Sequence, residues 1–242
     1  MIACAARTGS TMLVRTLRGH PALVMHGEVW GERMVGLDGP LARECEAGQA
    51  AFDALERARF AHPADSMRRF LDAHGAQAAG FKLKFDELVR PQWSDIRRLV
   101  EADADLRIVF LERRDLLRRY LSHQVVLHQT GVTNVPAGDT PPVVAPFEVD
   151  IGDCLRDIAE TRRRMREFEA AFASHAALHV AYEDLAADPQ AQCGRVFDFL
   201  GIGPAPIRVA TERIVRTPPE ALVLNYPELR AALRAAGETI AA

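Results

Sequence analysis

Short apolar runs alternate with longer segments of helical period along most of the chain. The run from Leu106 to Leu111 carries Arg107 as its only charged residue, which is typical of a strand buried inside a parallel sheet. Similar runs predict strands at Met1–Ala6, Leu23–His26, Ala79–Leu83 and Leu178–Tyr182. Because helix-length segments separate these strands, the pattern predicts right-handed crossovers and an α/β fold with a central parallel sheet flanked by helices.

Apolar positions three and four apart mark the helices between these strands. The longest should begin with Asp153 as its N-cap, since Leu155, Ile158 and Met165 fall on one side. The predicted helices are Ser10–Arg18, Ser94–Asp103, Leu116–Gln129, Asp153–Ser174 and Asp188–Leu200. The charged run Arg162–Arg164 is interpreted as a solvated helix face.

Two segments interrupt this alternation. Residues 39–78 are rich in Ala, Glu and Arg with Gly and Pro breaks, which predicts a helical insertion. Residues 130–150 hold four prolines and two glycines, and so should form a long loop or lid. With 242 residues and no internal repeat, we expect one domain spanning residues 1–242.

Composition narrows the class of protein. The 30 Lys and Arg residues nearly balance the 33 Asp and Glu residues, which argues against a nucleic-acid partner held by phosphate contacts. No run of about 18 apolar residues predicts a membrane span, and Arg7 interrupts any secretory signal almost at once. The four cysteines, Cys4, Cys45, Cys154 and Cys193, lack metal-ligand spacing. We therefore expect a cytoplasmic protein without a metal site.

The turn after the first strand has the composition of an anion site. In Arg7-Thr8-Gly9-Ser10-Thr11, a glycine and three hydroxyl residues precede the helix that begins near Met12. Such a P-loop-like turn directs backbone N–H groups and the positive end of the helix dipole at one point. The pattern G-x-x-x-x-G-K-[ST] is absent, so ATP or GTP with Mg²⁺ is less favoured, and Arg7 would supply the cation. Taken alone, the motif is equally compatible with an ordinary strand–helix turn.

A second anion motif follows the strand at Leu106–Leu111. Arg114 precedes Ser122 by eight residues, slightly more than two helical turns, so both side chains lie on roughly the same helix face. An arginine and a serine placed in this way can hold one tetrahedral dianion. Arg113 is the alternative to Arg114. Two anion sites at neighbouring strand ends indicate one ligand with two phosphate-type groups.

Three segments together resemble the sulfotransferases that use 3′-phosphoadenosine 5′-phosphosulfate (PAPS). They are RTGSTMLVRTL, IVFLERRDLLRRYLSHQ and VAYEDLAADPQAQCGRVFDFLGI, and the resemblance extends from Ile2 to about Gly201. It implies that Arg114 or Arg113, with Ser122, binds the 3′-phosphate. The residues implied at the 5′-phosphosulfate are Arg7, Thr8, Gly9, Ser10, Thr11 and Met12. Relatives also close a basic loop over the nucleotide, which points to Arg213 and Arg216, although a surface helix is the alternative there.

The R-[ST]-G-[ST] form of the first loop is similar to the bacterial carbohydrate branch, which includes trehalose, nodulation-factor and lipopolysaccharide sulfotransferases. That branch implies a glutamate base soon after the first helix, and VMHGEVW places Glu28 there. Desolvation should raise the pKa of Glu28 towards neutrality. His26 is the reserve base. In GFKLKF, Lys82 is expected to touch the sulfuryl group or the acceptor, unless Lys82 and Lys84 form a solvated pair.

The resemblance implies an enzyme that moves a sulfuryl group from PAPS to a hydroxyl and releases 3′,5′-adenosine bisphosphate (PAP). The acceptor is expected to be a carbohydrate or another small-molecule or lipid hydroxyl, and no metal is required. Homodimers are common among the relatives. The sequence leaves two alternatives open, a nucleotide-dependent kinase-like phosphotransferase and a non-catalytic nucleotide-binding module.

Overall fold

The computed structural model describes residues 1–46 and 48–238. Its centre is a five-stranded sheet in the order β2-β3-β1-β4-β6, with every neighbouring pair parallel. These strands are β1 (Ile2–Cys4), β2 (Leu23–Glu28), β3 (Ala78–Lys84), β4 (Ile108–Glu112) and β6 (Ala177–Ala181); β5 (Val135–Pro136) and β7 (Thr211–Glu212) form a separate antiparallel pair. The predicted α/β fold with a central parallel sheet is confirmed.

Helices cover both faces of the sheet. The N-terminal half contains α1 (Ser10–Leu17), α2 (Gly39–Glu46), α3 (Gln49–Ala61), α4 (Pro63–Phe70), α5 (Phe85–Leu88) and α6 (Ser94–Ala102). The C-terminal half contains α7 (Leu116–Val125), α8 (Ile151–Ala171), α9 (Tyr182–Ala187), α10 (Pro189–Leu200), α11 (Pro219–Leu222) and α12 (Tyr226–Ala235). A 3₁₀ turn at Pro91–Trp93 precedes α6, and a π-helical turn at Val126–Thr130 extends α7.

The alternation of side chains along β1 builds a core on each face. Ile2 and Cys4 pack with residues of α1, α9 and α10, whereas Ala3 packs with residues of α3, α4, α6 and α8. The connection from β1 through α1 leads to β2 at one edge of the sheet. The connection from β4 through α7 and α8 leads to β6 at the other edge, so the two connections run in opposite directions across the sheet. The carboxyl ends of β1 and β4 therefore flank a topological switch point, where ligands of open α/β sheets bind.

Several details differ from the sequence-based expectations. Asp150, not Asp153, is the N-cap of α8, and its carboxylate accepts from the Asp153 N–H at 2.8 Å. Residues 130–150 contain β5, which pairs with β7 after α10. The short helices α11 and α12 were not predicted. The four cysteines are free thiols. Within residues 1–46 and 48–238, no helix has the length and apolarity needed to cross a membrane.

Candidate active site

The turn between β1 and α1 is held in a left-handed conformation. Arg7 has φ 66° and Gly9 has φ 82°. Gly9 is the N-cap of α1, and the first turn of this helix has neither a side-chain cap nor an acidic residue. The N–H groups at the start of α1 thus remain available for an anion.

The hydroxyl residues of this turn have different environments. The Thr8 hydroxyl is buried and donates to the Ala5 carbonyl at 2.9 Å, which closes the turn. Ser10 is buried at the first position of α1, and Thr11 is partly buried beside it. Met12 packs against the core on the α1 face of the sheet.

Arg7 connects the two predicted anion motifs. Its Nε donates to Ser122 Oγ at 3.1 Å, and its Nη1 donates to the Thr133 carbonyl at 2.6 Å. Burial lowers the pKa of the Arg7 guanidinium, which stays protonated at neutral pH. The structure therefore places the first turn next to Ser122 of α7, although 115 residues separate Arg7 from Ser122.

Arg113, and not Arg114, faces this turn. The Arg113 side chain is buried, its Nη1 donates to the Arg7 carbonyl at 3.2 Å, and its guanidinium lies 4.5 Å from the centre of the Tyr182 ring. Arg114 turns away and makes two hydrogen bonds, of 2.8 and 2.6 Å, to the carboxylate of Asp184. Of the two adjacent arginines, the structure brings Arg113 together with Arg7 and Ser122.

Three arginines at this site form no salt bridge in the described part of the chain: Arg7, Arg113 and Arg213. Burial lowers the pKa of Arg113, and the charge of the exposed Arg213 acts in the same direction, whereas Tyr182, Asp115 and Glu183 act against it. Arg216 is held differently, because its Nη2 lies 2.8 Å from a carboxylate oxygen of Glu212. The site is therefore a cluster of arginines without salt bridges near the N-terminus of α1.

A second charged group lies at the ends of β2 and β3. Lys82 Nζ is 2.7 Å from Glu28 Oε1, and Lys84 Nζ is 2.8 Å from Glu28 Oε2 and 3.3 Å from Glu87 Oε1. Lys82 is only 4% exposed, which rules out a solvated pair of lysines. Because Glu28 pairs with Lys82 and Lys82 pairs with Ile2 across the strands, these side chains lie on the α1 face of the sheet.

The pKa of Glu28 moves opposite to the predicted direction. Burial alone would raise it, but the ammonium groups of Lys82 and Lys84 outweigh burial and hold the pKa below its ordinary value. Burial does raise the pKa of the neighbouring Glu87. Glu28 is consequently a carboxylate tied to two cations, and it is a weak base at neutral pH.

His26 lies on the other face of the sheet. It is fully buried, its Nδ1 accepts from the Asp38 N–H at 3.0 Å, and its ring makes an edge contact with Phe70. Burial lowers the pKa of His26 to about 4. The structure does not bring His26 together with Arg7, Lys82 or Glu28.

Sequence reasoning overlooked Tyr182, although its position offered a signal. It directly follows β6, at the same edge of the sheet as the ends of β1 and β4. Its ring supports the Arg113 guanidinium and packs against Gly9. An aromatic residue at the carboxyl end of a parallel strand is a reasonable candidate for a site at that edge.

Comparison with solved structures finds sulfotransferases. The sulfotransferase from Alicyclobacillus acidocaldarius matches with a TM-score of 0.50 at 14% identity, covering 99% of this chain and 96% of that one. The sulfotransferase domain of the Synechococcus PCC 7002 olefin synthase gives 0.49 at 19% identity, with coverages of 84% and 73%. The sulfotransferase domain of the curacin biosynthetic pathway gives 0.49 at 13% identity, with coverages of 99% and 98%. At 14% identity, the match to the Alicyclobacillus acidocaldarius structure shows the fold alone.

The sequence itself gives the family. No curated protein matches the chain, but the model of the Sulfotransferase family matches residues 1–205. This match decides against the phosphotransferase and the non-catalytic module that the sequence left open. The chain belongs to the sulfotransferase family and is a sulfotransferase enzyme.

Proposed function

We propose that this enzyme transfers a sulfuryl group from PAPS to a hydroxyl of a carbohydrate, or of another small-molecule or lipid acceptor, by in-line displacement. The observation that carries the proposal is the contact between Arg7 and Ser122 beside the buried Arg113, which forms no salt bridge in the described chain. Two dianionic groups of one nucleotide would each meet a cation there. Arg7, the N-terminus of α1 and the hydroxyls of Ser10 and Thr11 would hold the 5′-phosphosulfate.

Arg113 and Ser122 would hold the 3′-phosphate. The guanidinium of Arg113 is oriented by Tyr182 and by the Arg7 carbonyl, and its Nε has no partner in the described chain. An unpartnered donor on a buried arginine is costly, and a bound phosphate oxygen would satisfy it. The exposed guanidinium of Arg213 would close over the same anion, whereas Arg216 would act through its contact with the Arg213 carbonyl.

Lys82 would stabilise the sulfuryl group during transfer. Negative charge grows on the bridging oxygen as the bond to sulfur breaks, and preorganised cations lower the barrier most when they lie in a water-poor site. Lys82 meets this condition because it is buried and fixed by Glu28. The role proposed for Glu28 is to hold Lys82 and Lys84 in place.

The proposed acceptor is a hydroxyl of a carbohydrate or of another small molecule or lipid. Arg7 in the first loop and the position of Glu28 support the bacterial carbohydrate branch. Residues 130–150, predicted as a loop or lid, contact Arg7 through the Thr133 carbonyl and so border the site. Four free thiols fit a reducing compartment such as the cytoplasm.

Titration calorimetry with PAP tests the donor site, with the two adjacent arginines as a matched pair. We expect Arg113→Gln to weaken PAP binding about tenfold to a hundredfold, because a charged hydrogen-bond donor is lost. Arg114→Gln should change the affinity less than about twofold, since Arg114 pairs with Asp184 at the surface. Absence of PAP binding to the unmodified enzyme at millimolar ligand, or a larger loss for Arg114→Gln, would contradict the proposal.

A further inference from the structure

Glu87 is a buried carboxylate that lies beside the paired lysines of β3. It is the third residue of α5, which directly follows β3, and it is 1% exposed. Its Oε2 accepts from the Lys84 N–H at 2.9 Å, and its Oε1 lies 3.3 Å from Lys84 Nζ. A carboxylate that contacts both the main chain and the ammonium group of one lysine restricts the conformations of that lysine.

The surroundings of Glu87 leave it no other cation to bind. Within residues 1–46 and 48–238, Lys84 is the only cation in salt-bridge contact with Glu87. The chain at Gly31 covers the carboxylate, because a Cβ built on Gly31 would lie 3.1 Å from Glu87 Oε1. Burial raises the pKa of Glu87, and the charge of Glu28 acts in the same direction, whereas the ammonium and N–H groups of Lys84 favour the carboxylate form.

Lys84 connects Glu87 to Glu28. The Lys84 Nζ lies 2.8 Å from Glu28 Oε2, and Lys82 Nζ lies 2.7 Å from Glu28 Oε1. Burial alone would lower the pKa of Lys84, but the charge of Glu87 and the contacts with Glu28 outweigh burial and raise it. Lys84 is partly exposed, whereas Lys82 and Glu87 are buried. The long side chain of Lys84 would therefore extend into solvent if Glu87 did not hold it.

This group lies next to the turn proposed to hold the 5′-phosphosulfate. β3 is the neighbour of β1 in the sheet, with Lys84 opposite Cys4 near the end of β1. Burial raises the pKa of the Cys4 thiol, and the charge of Lys82 and the Ser10 hydroxyl act in the opposite direction. The charge of Glu87 also acts on this thiol. The first residue of α1 and the row of charged side chains therefore meet at Cys4.

We propose that Glu87 is a positioning residue for the sulfuryl transfer. It fixes Lys84 against Glu28, and Glu28 in turn holds the Lys82 ammonium at the sulfuryl group. The inference rests on the proposed function, which gives Lys82 its role. Two carboxylates and two ammonium groups balance in this row, so loss of the Glu87 charge leaves one ammonium in excess. Lys84 would then turn to solvent, and Glu28 would lose one partner and shift together with Lys82.

Orthovanadate probes this arrangement without an acceptor. In the presence of bound PAP, vanadate can take five oxygen ligands and so imitate the sulfuryl group during its transfer. Lys82 is proposed to contact that group, which PAP itself lacks. An error in the position of Lys82 should therefore weaken vanadate binding and leave PAP binding unchanged, whereas a general loss of structure would weaken both.

The test measures PAP affinity by calorimetry and then the vanadate affinity of the PAP-saturated enzyme. We expect Glu87→Gln to weaken vanadate binding about tenfold to a hundredfold, because a misplacement of about 1 Å has effects of this size. PAP affinity should stay within about twofold of the unmodified enzyme. Asp86→Asn is the matched control and should change neither affinity, since Asp86 is exposed on the same helix and pairs with Arg164.

A double-mutant cycle tests whether Glu87 acts through Lys84. Lys84→Gln should weaken vanadate binding as much as Glu87→Gln does, and the double variant should lose no more than Lys84→Gln alone. Urea unfolding checks that each variant is folded. If the buried amide prevents folding, Glu87→Asp replaces Glu87→Gln with the same expected loss, because it moves the charge one methylene away from Lys84.

Several results would overturn the inference. They are a loss of vanadate affinity below about threefold in the Glu87 variant, an equal loss of PAP affinity, additive losses in the double variant, and no vanadate binding by the PAP complex of the unmodified enzyme. In the first, third and fourth cases, retained PAP binding would leave the proposed donor site standing. Failure of the unmodified enzyme to bind PAP would instead remove the donor site, and this inference with it.

Discussion

Gly9 and Tyr182 share a space at the start of α1 that admits no additional carbon atom. A Cβ built on Gly9 would lie 2.4 Å from Cδ2 of the Tyr182 ring. The backbone of Gly9 also has φ 82°, a left-handed conformation that costs other residues about 1–3 kcal/mol. Because the same ring supports Arg113, any movement of Tyr182 would also disturb the cation next to Arg7.

Gly9→Ala should therefore impair both stability and ligand binding. We expect the free energy of unfolding to fall by about 1–3 kcal/mol and PAP affinity to fall more than tenfold, because Tyr182 and Arg113 must move together. Denaturant unfolding and calorimetry measure these two changes. Gly194→Ala is the control: Gly194 lies within α10 with no atom near its added Cβ, so stability should rise by about 0.5–1 kcal/mol. An equal change in the free energy of unfolding for Gly9→Ala and Gly194→Ala would refute this account.

An irregularity in β2 decides where His26 and Glu28 lie. His26 and Glu28 are two apart, so a regular strand would point both to one face. The register of β2 shifts between them, with His26 opposite Phe81 and Glu28 opposite Lys82. Gly27 allows this irregularity, because its N–H donates to the Gly36 carbonyl at 2.6 Å and a Cβ there would meet the Val35 carbonyl. The segment at Val35 and Gly36, eight and nine residues after Gly27, thus decides which side chain reaches the site.

The choice between Arg113 and Arg114 depends on still more distant residues. Both follow β4, and the turn alone does not distinguish them. The Tyr182 ring lies against the Arg113 guanidinium, and the Asp184 carboxylate binds Arg114. Arg114 and Asp184 are 70 positions apart in the chain. Ser122 was easier to predict, since a helix of regular period places it about two turns after the arginines.

Among the secondary-structure elements, α3 holds the segment that follows Glu28 in place. Arg59 of this helix is fully buried and donates to the carbonyls of Val29 and Gly31 at 2.9 and 2.7 Å, and to that of Glu32 at 2.9 Å. Its guanidinium also lies 4.7 Å from the centre of the Phe60 ring and 5.3 Å from the centre of the Trp93 ring. The segment after Glu28 has no regular secondary structure of its own, so Arg59 supplies the donors that fix it.

Arg59→Met should destabilise the protein strongly while a neighbouring change does not. The buried carbonyls of Val29 and Gly31 and the carbonyl of the exposed Glu32 would lose their donor, and we expect the free energy of unfolding to drop by about 3 kcal/mol. Arg57 lies on the exposed side of the same helix, so Arg57→Met should stay within about 0.5 kcal/mol of the unmodified protein. Urea unfolding of both variants compares them directly. A similar loss for Arg57→Met would mean that the helix, and not the buried guanidinium, is responsible.

Strands and long helices were predictable at the element scale, and short elements were not. The run Leu106–Leu111 became β4 at Ile108–Glu112, because an apolar run of this length is almost always buried. The helix α8 begins at Ile151, and Asp150 and Asp153 are both residues that cap helices, so sequence alone could not choose. The short α11 and α12 depend on packing against α8 and Phe147 rather than on a strong periodic pattern.

At the scale of the whole molecule, the site draws on segments from both ends of the chain. Arg7, Arg113 and Arg213 belong to three separate connections, yet Arg113 donates to the Arg7 carbonyl and the charge of Arg213 acts on Arg113. The pairing of β5 with β7 and the hydrogen bond from the Phe147 N–H to the Leu222 carbonyl, 2.9 Å long, join residues 130–150 to the chain after α10. One domain over residues 1–242 stays a prediction.

The protein as a whole has a net charge of −3, whereas the arginine cluster is a local excess of positive charge. Two carboxylate-rich surfaces, on α8 and around Asp184, lie outside the cluster and are paired with their own arginines. Attraction of a polyanionic nucleotide must therefore come from the cluster itself and not from the field of the whole protein. Binding should consequently order the three connections together.

Hydrogen–deuterium exchange with and without PAP measures this cooperative ordering. At PAP concentrations about 100-fold above Kd, binding stabilises the bound conformation by about 2.7 kcal/mol, so peptides covering residues 5–12, 113–123 and 211–216 should all exchange more slowly. Adenosine 5′-monophosphate lacks the 3′-phosphate and should protect residues 5–12 while leaving residues 113–123 close to the free rate. Residues 49–61, which form α3 on the other face, should not respond to either nucleotide. Protection by PAP confined to one connection would show that the three arginines do not act on a single ligand.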